Sequence, residues 1–205
     1  MGDRLGRLFV FEGPERVGKT TQVAAVARWL KASGVPVTVV REPGGTPLGE
    51  RLRALLLDGS EAPLAATEAL LFAAARAELV GRVIRPALEE GQVVLADRFV
   101  LSSLAYQVCG RGLPHELVDA ANRLATGDLE PDLTVVLLGK GFGPPGHDRM
   151  EREDRAFHER VRVGYAQLAE RIPAARVVDA DAPVETVTAR IRALIEPYLV
   201  RPPRV

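Results

Sequence analysis

The chain has 205 residues, of which 47% are apolar and 26% charged, a balance typical of a globular domain and not of a disordered protein. Lys plus Arg and Asp plus Glu number 27 each, which excludes a global basic field for a nucleic-acid polymer, so any phosphate site must be local. The single Cys109 excludes an intramolecular disulfide, and no apolar run reaches signal-peptide or membrane length, so we expect a cytoplasmic protein without membrane contact.

Short apolar runs alternate with helical patterns along the chain. This pattern predicts an α/β fold, a three-layer, doubly wound domain with about five parallel strands and helices on both faces. We expect residues 1–205 to form one domain, with a lid at about 139–156, where the chain is rich in Gly and Pro. The predicted elements, in chain order, are a strand over Leu8–Phe11, a helix from about Gly18 to Ala32, a strand over Val35–Val40, a helix over Leu48–Leu57, a helix over Leu64–Glu90 broken near Gly81 and Pro86, strands over Gln92–Ala96, Leu133–Leu138 and Arg176–Val178, and a helix from Pro183 to about Glu196.

A phosphate-binding motif follows the first predicted strand. It matches G-x-x-x-x-G-K-[ST] at every fixed position and lies between a strand and a helix, the context that this motif requires. The glycines let the backbone wrap a polyphosphate, and the helix N-terminus adds positive potential. Lys19 can reach the β- and γ-phosphates, and the Thr20 hydroxyl can hold Mg²⁺. The motif, which predicts a P-loop NTPase fold and nucleotide binding, is Gly13-Pro14-Glu15-Arg16-Val17-Gly18-Lys19-Thr20.

Two arginine-containing segments follow the second and third predicted strands. Because the carboxyl ends of parallel strands meet at one sheet edge, Arg41 and Arg98 should lie near the phosphate-binding loop. The planar guanidinium suits a phosphate dianion, so two of them would suit an acceptor that is itself a phosphate. Asp97 is suited to an outer-shell Mg²⁺ contact. Taken singly, each segment could instead form an ordinary surface salt bridge.

Together these segments resemble the thymidylate kinase family over nearly the whole chain, from Leu8 to about Ile195. The combination of an Arg-Glu-Pro-Gly-Gly-Thr segment with Asp-Arg-aromatic is highly specific. The resemblance rests on Phe11-Glu12-Gly13, Thr20-Thr21-Gln22, Arg41-Glu42-Pro43-Gly44-Gly45-Thr46, residues 70–76, Asp97-Arg98-Phe99, residues 102–107, Gly110-Arg111-Gly112, Pro131-Asp132-Leu133, Asp148-Arg149-Met150-Glu151 and Phe157-His158-Glu159-Arg160-Val161.

The resemblance implies an ATP-dependent phosphorylation of thymidine monophosphate to the diphosphate, with Mg²⁺, in a homodimer. It implies that Phe72 stacks on the thymine and that Arg76 hydrogen-bonds its exocyclic oxygen. Helical periodicity alone would allow Phe72 to be ordinary core and Arg76 a solvated edge. The implied acceptor-binding residues are Glu12, Arg41, Pro43, Phe72, Arg76, Arg98, Ser102, Ser103, Tyr106 and Gln107. The implied ATP-binding residues are Gly13 to Thr20, with Thr21, Arg149, Asp179 and Ala182; the implied metal-binding residues are Thr20 and Asp97.

For catalysis we expect Lys19, Arg16 and Arg98 to neutralise the transferred group, and Glu15 to orient the deoxyribose 3′-hydroxyl. Arg16, in the phosphate-binding loop, resembles one of the two arrangements of catalytic cations in the family. The chain differs from the usual pattern in a Gly/Pro-rich loop over 139–146, which replaces a short helix and lacks the expected aspartate, and in a bulkier segment over 107–110. Two alternatives therefore remain open, a kinase for another nucleoside monophosphate and a nucleotide-binding regulator without turnover. A GTPase is not favoured, because the chain has no Asn-Lys-x-Asp segment.

Overall fold

Five parallel strands form one sheet in the computed structural model, which describes residues 6–58, 62–141 and 148–199. Their order across the sheet is β2-β3-β1-β4-β5, and every neighbouring pair is parallel. The registers Phe11↔Asp97 and Arg41↔Asp97 place the ends of β1, β2 and β3 side by side. The strands are β1 (Arg7–Glu12), β2 (Val37–Arg41), β3 (Val93–Asp97), β4 (Leu133–Leu138) and β5 (Ala175–Asp179).

Helices cover both faces of the sheet. Local sequence explains where some of them begin: the Thr46 hydroxyl accepts a hydrogen bond from the Gly49 N–H, and Asp154 accepts one from the Phe157 N–H, as N-cap side chains do. The helices are α1 (Lys19–Ala32), α2 (Pro47–Leu57), α3 (Ala65–Leu79), α4 (Arg85–Glu89), α5 (Val100–Ser103), α6 (His115–Thr126), α7 (Arg155–Arg171) and α8 (Val184–Leu199), with π-helical turns over Val80–Ile84 and Leu104–Gly110.

The buried side chains of β1 show why the domain has three layers. Phe9 and Phe11 point to one face and belong to an apolar cluster with residues of α1 and α8. Leu8 and Val10 point to the other face, where they pack with residues of α3, the first π-helical turn and α4. A strand buried on both faces in this way requires a helical layer on each side. The predicted three-layer α/β fold is thus confirmed.

The predicted elements differ from the observed ones in two places. The predicted break between Leu64 and Glu90 is observed as a π-helical turn within an almost continuous helical run. The helix continues past this turn because Pro86 lies in the first turn of α4, where its missing N–H is tolerated. The helical residues 100–110 and α6 were not predicted. Gly127, with a left-handed φ of 56°, ends α6 and was the available signal.

The predicted lid, about 139–156, is described only at its two ends, since residues 142–147 lie outside the described part. Among the described helices, none combines the length and the apolar character needed to span a membrane.

Candidate active site

A cavity of about 1180 Å³ opens at the carboxyl edge of the sheet. Its wall is formed by the phosphate-binding loop, the strand ends, α3, the second π-helical turn and the loop after β5. Ligands of doubly wound domains bind at this edge. The sequence-predicted residues on this wall are Glu15, Arg16, Val17, Gly18, Lys19, Thr20, Thr21, Arg41, Pro43, Phe72, Arg76, Asp97, Arg98, Ser102, Ser103, Tyr106, Gln107 and Ala182.

The phosphate-binding loop joins β1 to α1 in the conformation that its glycines predict. Gly13 has a φ of 138°, and a Cβ on it would meet the Leu137 carbonyl oxygen at 2.2 Å, so only glycine fits. The Lys19 ammonium donates to the carbonyl oxygens of Gly13, at 3.0 Å, and Pro14, at 2.6 Å. Burial lowers the pKa of Lys19 to about 8, and the charge of Arg98 acts in the same direction. A bound polyphosphate would oppose this decrease in pKa, because its negative charge favours the charged form of Lys19.

Arg98 joins the phosphate-binding loop to the second π-helical turn. Its guanidinium donates to the Gly13 carbonyl oxygen at 3.1 Å and pairs with the Glu15 carboxylate at 2.7 Å. The Tyr106 hydroxyl donates to the same carboxylate at 2.8 Å. Burial opposes ionisation of Glu15, but the charges of Arg98 and Lys19 outweigh it and lower the pKa of Glu15 to about 2. Arg98 is therefore held in place by an ionised partner, with a left-handed φ of 74° that is unusual for a non-glycine residue.

Glu12 lies beneath this pair, fully buried at the end of β1. Its carboxylate accepts hydrogen bonds from the Phe99 N–H at 2.8 Å, the Ser102 hydroxyl at 2.6 Å and the Tyr165 hydroxyl at 3.0 Å. Burial raises the pKa of Glu12, and these hydrogen bonds partly oppose that increase. Glu12 does not border the cavity, so its predicted contact with the acceptor stays a prediction.

Tyr165 is a site residue that the sequence did not predict. Its hydroxyl, on α7, contacts Glu12 and also lies 3.0 Å from Arg98 Nη1 and 2.8 Å from Ser102 Oγ. It connects the helix that follows the predicted lid to the base of the phosphate site. Tyr165 lies fifteen residues after Met150, and no local sequence pattern there indicates this role. The contact depends on how α7 packs against the sheet.

Arg76 is almost completely buried, so its interpretation as a solvated edge residue is wrong. Each of its five N–H bonds has an acceptor: Glu42 receives two, and the others go to the side chains of Ser103 and Asn122 and to the Phe99 carbonyl oxygen. Arg76 borders the cavity, but a base oxygen would have to share or replace one of these acceptors. The predicted contact with a thymine oxygen stays a prediction.

Phe72 is half-buried, packs against the apolar cluster that contains Tyr106 and Phe157, and also borders the cavity. It lies one turn before Arg76 on α3, so both side chains share the face that the sequence predicted. Its position on the cavity wall is compatible with base stacking, while its packing is that of a core residue.

Two further arginines, Arg41 and Arg53, also border the cavity. Arg41 pairs with Glu50 at 2.9 Å, and both side chains are about half exposed. Arg53, which the sequence analysis did not single out, donates to the Pro43 carbonyl oxygen at 2.9 Å and also borders the cavity. Arg41, Arg53 and Arg98 are three of the five arginines on the described part of the wall, together with Arg16 and Arg76, and their guanidinium groups suit an anionic acceptor.

The two predicted metal-binding side chains contact each other. Thr20 Oγ1 donates to Asp97 Oδ2 at 2.6 Å, on the cavity wall. Among the described residues, no cluster of three or more His, Cys, Asp or Glu side chains could hold a metal ion. Mg²⁺ commonly uses one or two protein oxygens, with water and substrate phosphates completing its octahedron, so this pair fits such an ion.

Four predicted ATP-binding residues do not border the cavity: Gly13 and Pro14 of the phosphate-binding loop, and the more distant Arg149 and Asp179. Arg149 pairs with the buried carboxylate of Glu68 on α3, although its neighbours Asp148 and Met150 border the cavity. The Asp179 carboxylate accepts from the Asp181 N–H at 2.9 Å. The roles predicted for Arg149 and Asp179 stay predictions, and an ATP contact from either requires a different side-chain position.

Comparisons with known proteins identify the family of the chain. A family model described as thymidylate kinase matches residues 11–191. Thymidylate kinases of Symbiobacterium thermophilum and Thermomicrobium roseum are each 48% identical over 200 residues, covering 93% of this chain and 93% and 95% of theirs. The crystal structure of thymidylate kinase from Ehrlichia chaffeensis is similar, with a TM-score of 0.78 and 31% identity, covering 93% of this chain and 98% of that one. The chain belongs to the thymidylate kinase family.

Proposed function

We infer that this chain transfers the γ-phosphate of ATP to thymidine monophosphate, giving ADP and thymidine diphosphate. The observation that carries this proposal is one cavity whose wall contains both most of the phosphate-binding loop, Glu15 to Thr20, and the arginines Arg41, Arg53 and Arg98. One set of groups suits a nucleoside triphosphate and the other suits an acceptor that is itself a phosphate. Family membership over most of the chain supports thymidine monophosphate as that acceptor.

The reaction needs no general base, because a phosphate monoester is already largely dianionic at neutral pH, with a second pKa of about 6. The difficulty is bringing two anions together, so catalysis depends on positioning and on positive charge. Lys19 and Arg98 are both buried at the junction of the two subsites, where their charges act with little solvent screening. Arg16, in the phosphate-binding loop, is the third cation that we assign to the transferred group.

Mg²⁺, held through Thr20 and Asp97, would supply further neutralisation of the phosphate oxygens. The protein groups must also exchange partners when ligands bind. The Lys19 ammonium now donates to Gly13 and Pro14 carbonyl oxygens, and Arg98 pairs with Glu15. We propose that phosphates replace these internal acceptors. Glu15, once released from Arg98, would be able to accept a hydrogen bond from a sugar hydroxyl on the side of the loop that faces Tyr106.

We also propose that two copies associate through α3 and α6. These helices pack on each other, and each exposes large apolar side chains: Leu70 is 64% exposed, Leu117 65% and Leu124 87%. A second copy would remove this apolar surface from water. Sedimentation equilibrium of the wild-type chain and of Leu124→Glu should give a dimer and a monomer, respectively; a wild-type monomer would contradict the proposal.

We further propose that residues 1–205 act as one domain in the cytoplasm, with a lid at about 139–156. All three apolar clusters contain residues of the same sheet, which supports one domain.

A coupled ADP-release assay tests the proposed reaction. With ATP and Mg²⁺, we expect turnover with thymidine monophosphate that exceeds turnover with deoxyuridine, deoxycytidine and adenosine monophosphates. Lys19→Ala should abolish it, whereas Lys31→Ala, on the exposed end of the same helix, should not. Equal or greater activity with another monophosphate would favour a different kinase. Binding of both nucleotides without turnover would favour a regulator.

A further inference from the structure

Glu68 is a fully buried carboxylate that the reaction described above does not use. It lies on α3, one turn before Phe72 and two turns before Arg76, and therefore on the helix face that borders the cavity. It does not itself border the cavity among the described residues. A buried acid is stable only when it is paired, so its partners define what it does.

Side chains from two other parts of the chain converge on this carboxylate. Gln107 Nε2 donates to Oε1 at 3.0 Å, and Arg111 donates to both oxygens, at 3.1 and 3.0 Å. Arg149 Nη2 donates to Oε2. Burial opposes ionisation of Glu68, but the hydrogen bonds from Arg111, Gln107 and Arg149 outweigh it and lower its pKa. The carboxylate is therefore charged at neutral pH and balances part of the charge of two arginines.

The same two arginines are tied to residues 148–153, hereafter the 148–153 segment. Arg111 pairs with Glu153, and its guanidinium lies 4.6 Å from the centre of the Phe157 ring. Arg149 also donates from Nε to the Leu56 carbonyl oxygen at 3.0 Å, at the end of α2. Glu68 thus fastens the 148–153 segment to α3 and to the π-helical turn that carries Gln107.

Both sides of this connection reach the cavity wall. Asp148, Met150 and Glu151, which flank Arg149, border the cavity from the 148–153 segment. Gln107 borders it from the opposite side of Glu68. The charges of Glu68 and Glu153 match those of Arg111 and Arg149, so removing the Glu68 charge leaves two partly buried arginines sharing one acid.

We propose that Glu68 is a positioning residue for phosphoryl transfer: it holds the 148–153 segment against the acceptor side of the cavity, so that this wall excludes water from the transferred phosphate. The proposal rests on the proposed kinase function. A displaced wall admits water, and ATP hydrolysis then competes with transfer to the acceptor. No hydrogen bond joins Glu68 to the phosphate-binding loop in the described residues, so the contacts that the loop itself offers to ATP should be unaffected.

The test compares Glu68→Gln with Glu78→Gln, a control on the same helix that removes an exposed pair with Arg82. In Glu68→Gln we expect the ratio of ATP hydrolysis to thymidine monophosphate phosphorylation to rise about tenfold. A general loss of folded protein would lower both activities equally and leave their ratio constant. Such a constant ratio in folded Glu68→Gln would overturn the proposal.

Limited trypsin cleavage gives a second measurement that does not need turnover. Arg152, within the 148–153 segment, and Arg155, just after it, are exposed, and we expect nucleotide-free Glu68→Gln to be cut there about tenfold faster than wild type or Glu78→Gln. Equal cleavage rates would overturn the proposal. An inactive wild type in which the cleavage difference is still seen would count against the kinase function and leave the Glu68 connection supported.

Arg149→Gln serves if Glu68→Gln does not fold, because Glu68 then keeps Arg111 as its partner. This variant should show the same faster cleavage, and cleavage at the wild-type rate would overturn the proposal. The double variant should be no worse than the more severe single one, since both changes break the same connection. Additive effects on cleavage would mean that Glu68 and Arg149 act separately, contrary to the proposal.

Discussion

The protonation of Lys19 should set the upper pH limit for capture of ATP. The nucleotide-free site holds this ammonium in a buried position beside Arg98, and its pKa falls from the ordinary value of 10.5 to about 8. That difference corresponds to about 3 kcal/mol against charging the amine in place. Glu15, Asp97 and Glu12 act in the opposite direction but do not compensate for burial. The free enzyme therefore loses this charge in an experimentally accessible range.

The expected result is a fall in kcat/KM for ATP of about tenfold between pH 7 and pH 9. A group with a pKa of about 8 is roughly nine-tenths charged at pH 7 and one-tenth charged at pH 9. The profile of kcat/KM follows groups of the free enzyme, whereas kcat follows the ternary complex. Because bound phosphates favour the charged amine, kcat at saturating ATP should begin to fall at a higher pH.

Lys19→Arg is the matched variant, because a guanidinium stays charged throughout this range. Whatever activity it retains should lack the alkaline fall. The acid side of both profiles should be alike, since it follows the acceptor phosphate, whose second pKa is about 6. A wild-type kcat/KM that stays constant to pH 10, or the same alkaline fall in Lys19→Arg, would show that Lys19 does not titrate as its burial implies.

Three further changes have expected outcomes. Tyr165→Phe removes a buried hydroxyl with three polar contacts and should lower the free energy of unfolding by about 1–3 kcal/mol; an unchanged melting temperature would contradict the assigned contacts. Arg76→Lys replaces five N–H donors by three and leaves part of the Glu42 carboxylate without a partner. The free energy of unfolding measured with urea should therefore fall by about 3–5 kcal/mol; a fall of less than 1 kcal/mol would contradict the assigned contacts. Gly164→Ala places a Cβ 2.7 Å from a cysteine sulfur and should cost about 1–3 kcal/mol, whereas Gly81→Ala, with no atom within 4 Å, should not; equal melting temperatures would contradict the packing.

Local patterns were sufficient to predict the sheet and the phosphate-binding loop. Continuous apolar strands such as β1 have no other stable placement than the middle of a covered sheet, and the loop motif specifies its own backbone. Lys19, Thr20 and Asp97 accordingly lie together as predicted. The helical run from Val100 to Gly110 was not predicted, because its apolar residues do not recur with a clear helical period and its second half is a π-helical turn.

Contacts between distant parts of the chain could not be predicted from the sequence. Tyr165 reaches Glu12 across 153 positions, and only the packing of α7 against the sheet joins them. Arg76 was open to interpretation as a solvated residue, since helical spacing does not reveal that Glu42 and Asn122 enclose it. Glu68 was not singled out from the sequence, because its arginine partners lie 43 and 81 positions away.

Arg98 has a consequence for how the two substrates influence each other. Its guanidinium contacts the carbonyl oxygen of Gly13 and the carboxylate of Glu15, both in the phosphate-binding loop, and also donates to the hydroxyls of Ser102 and Tyr106, which are predicted acceptor-binding residues. A ligand that moves Arg98 from either set of contacts changes the free energy at which the other ligand binds. Thermodynamic linkage then requires reciprocity: whatever factor ATP contributes to the affinity for the acceptor, the acceptor returns to ATP. The two subsites behave as one coupled unit, joined by a single side chain.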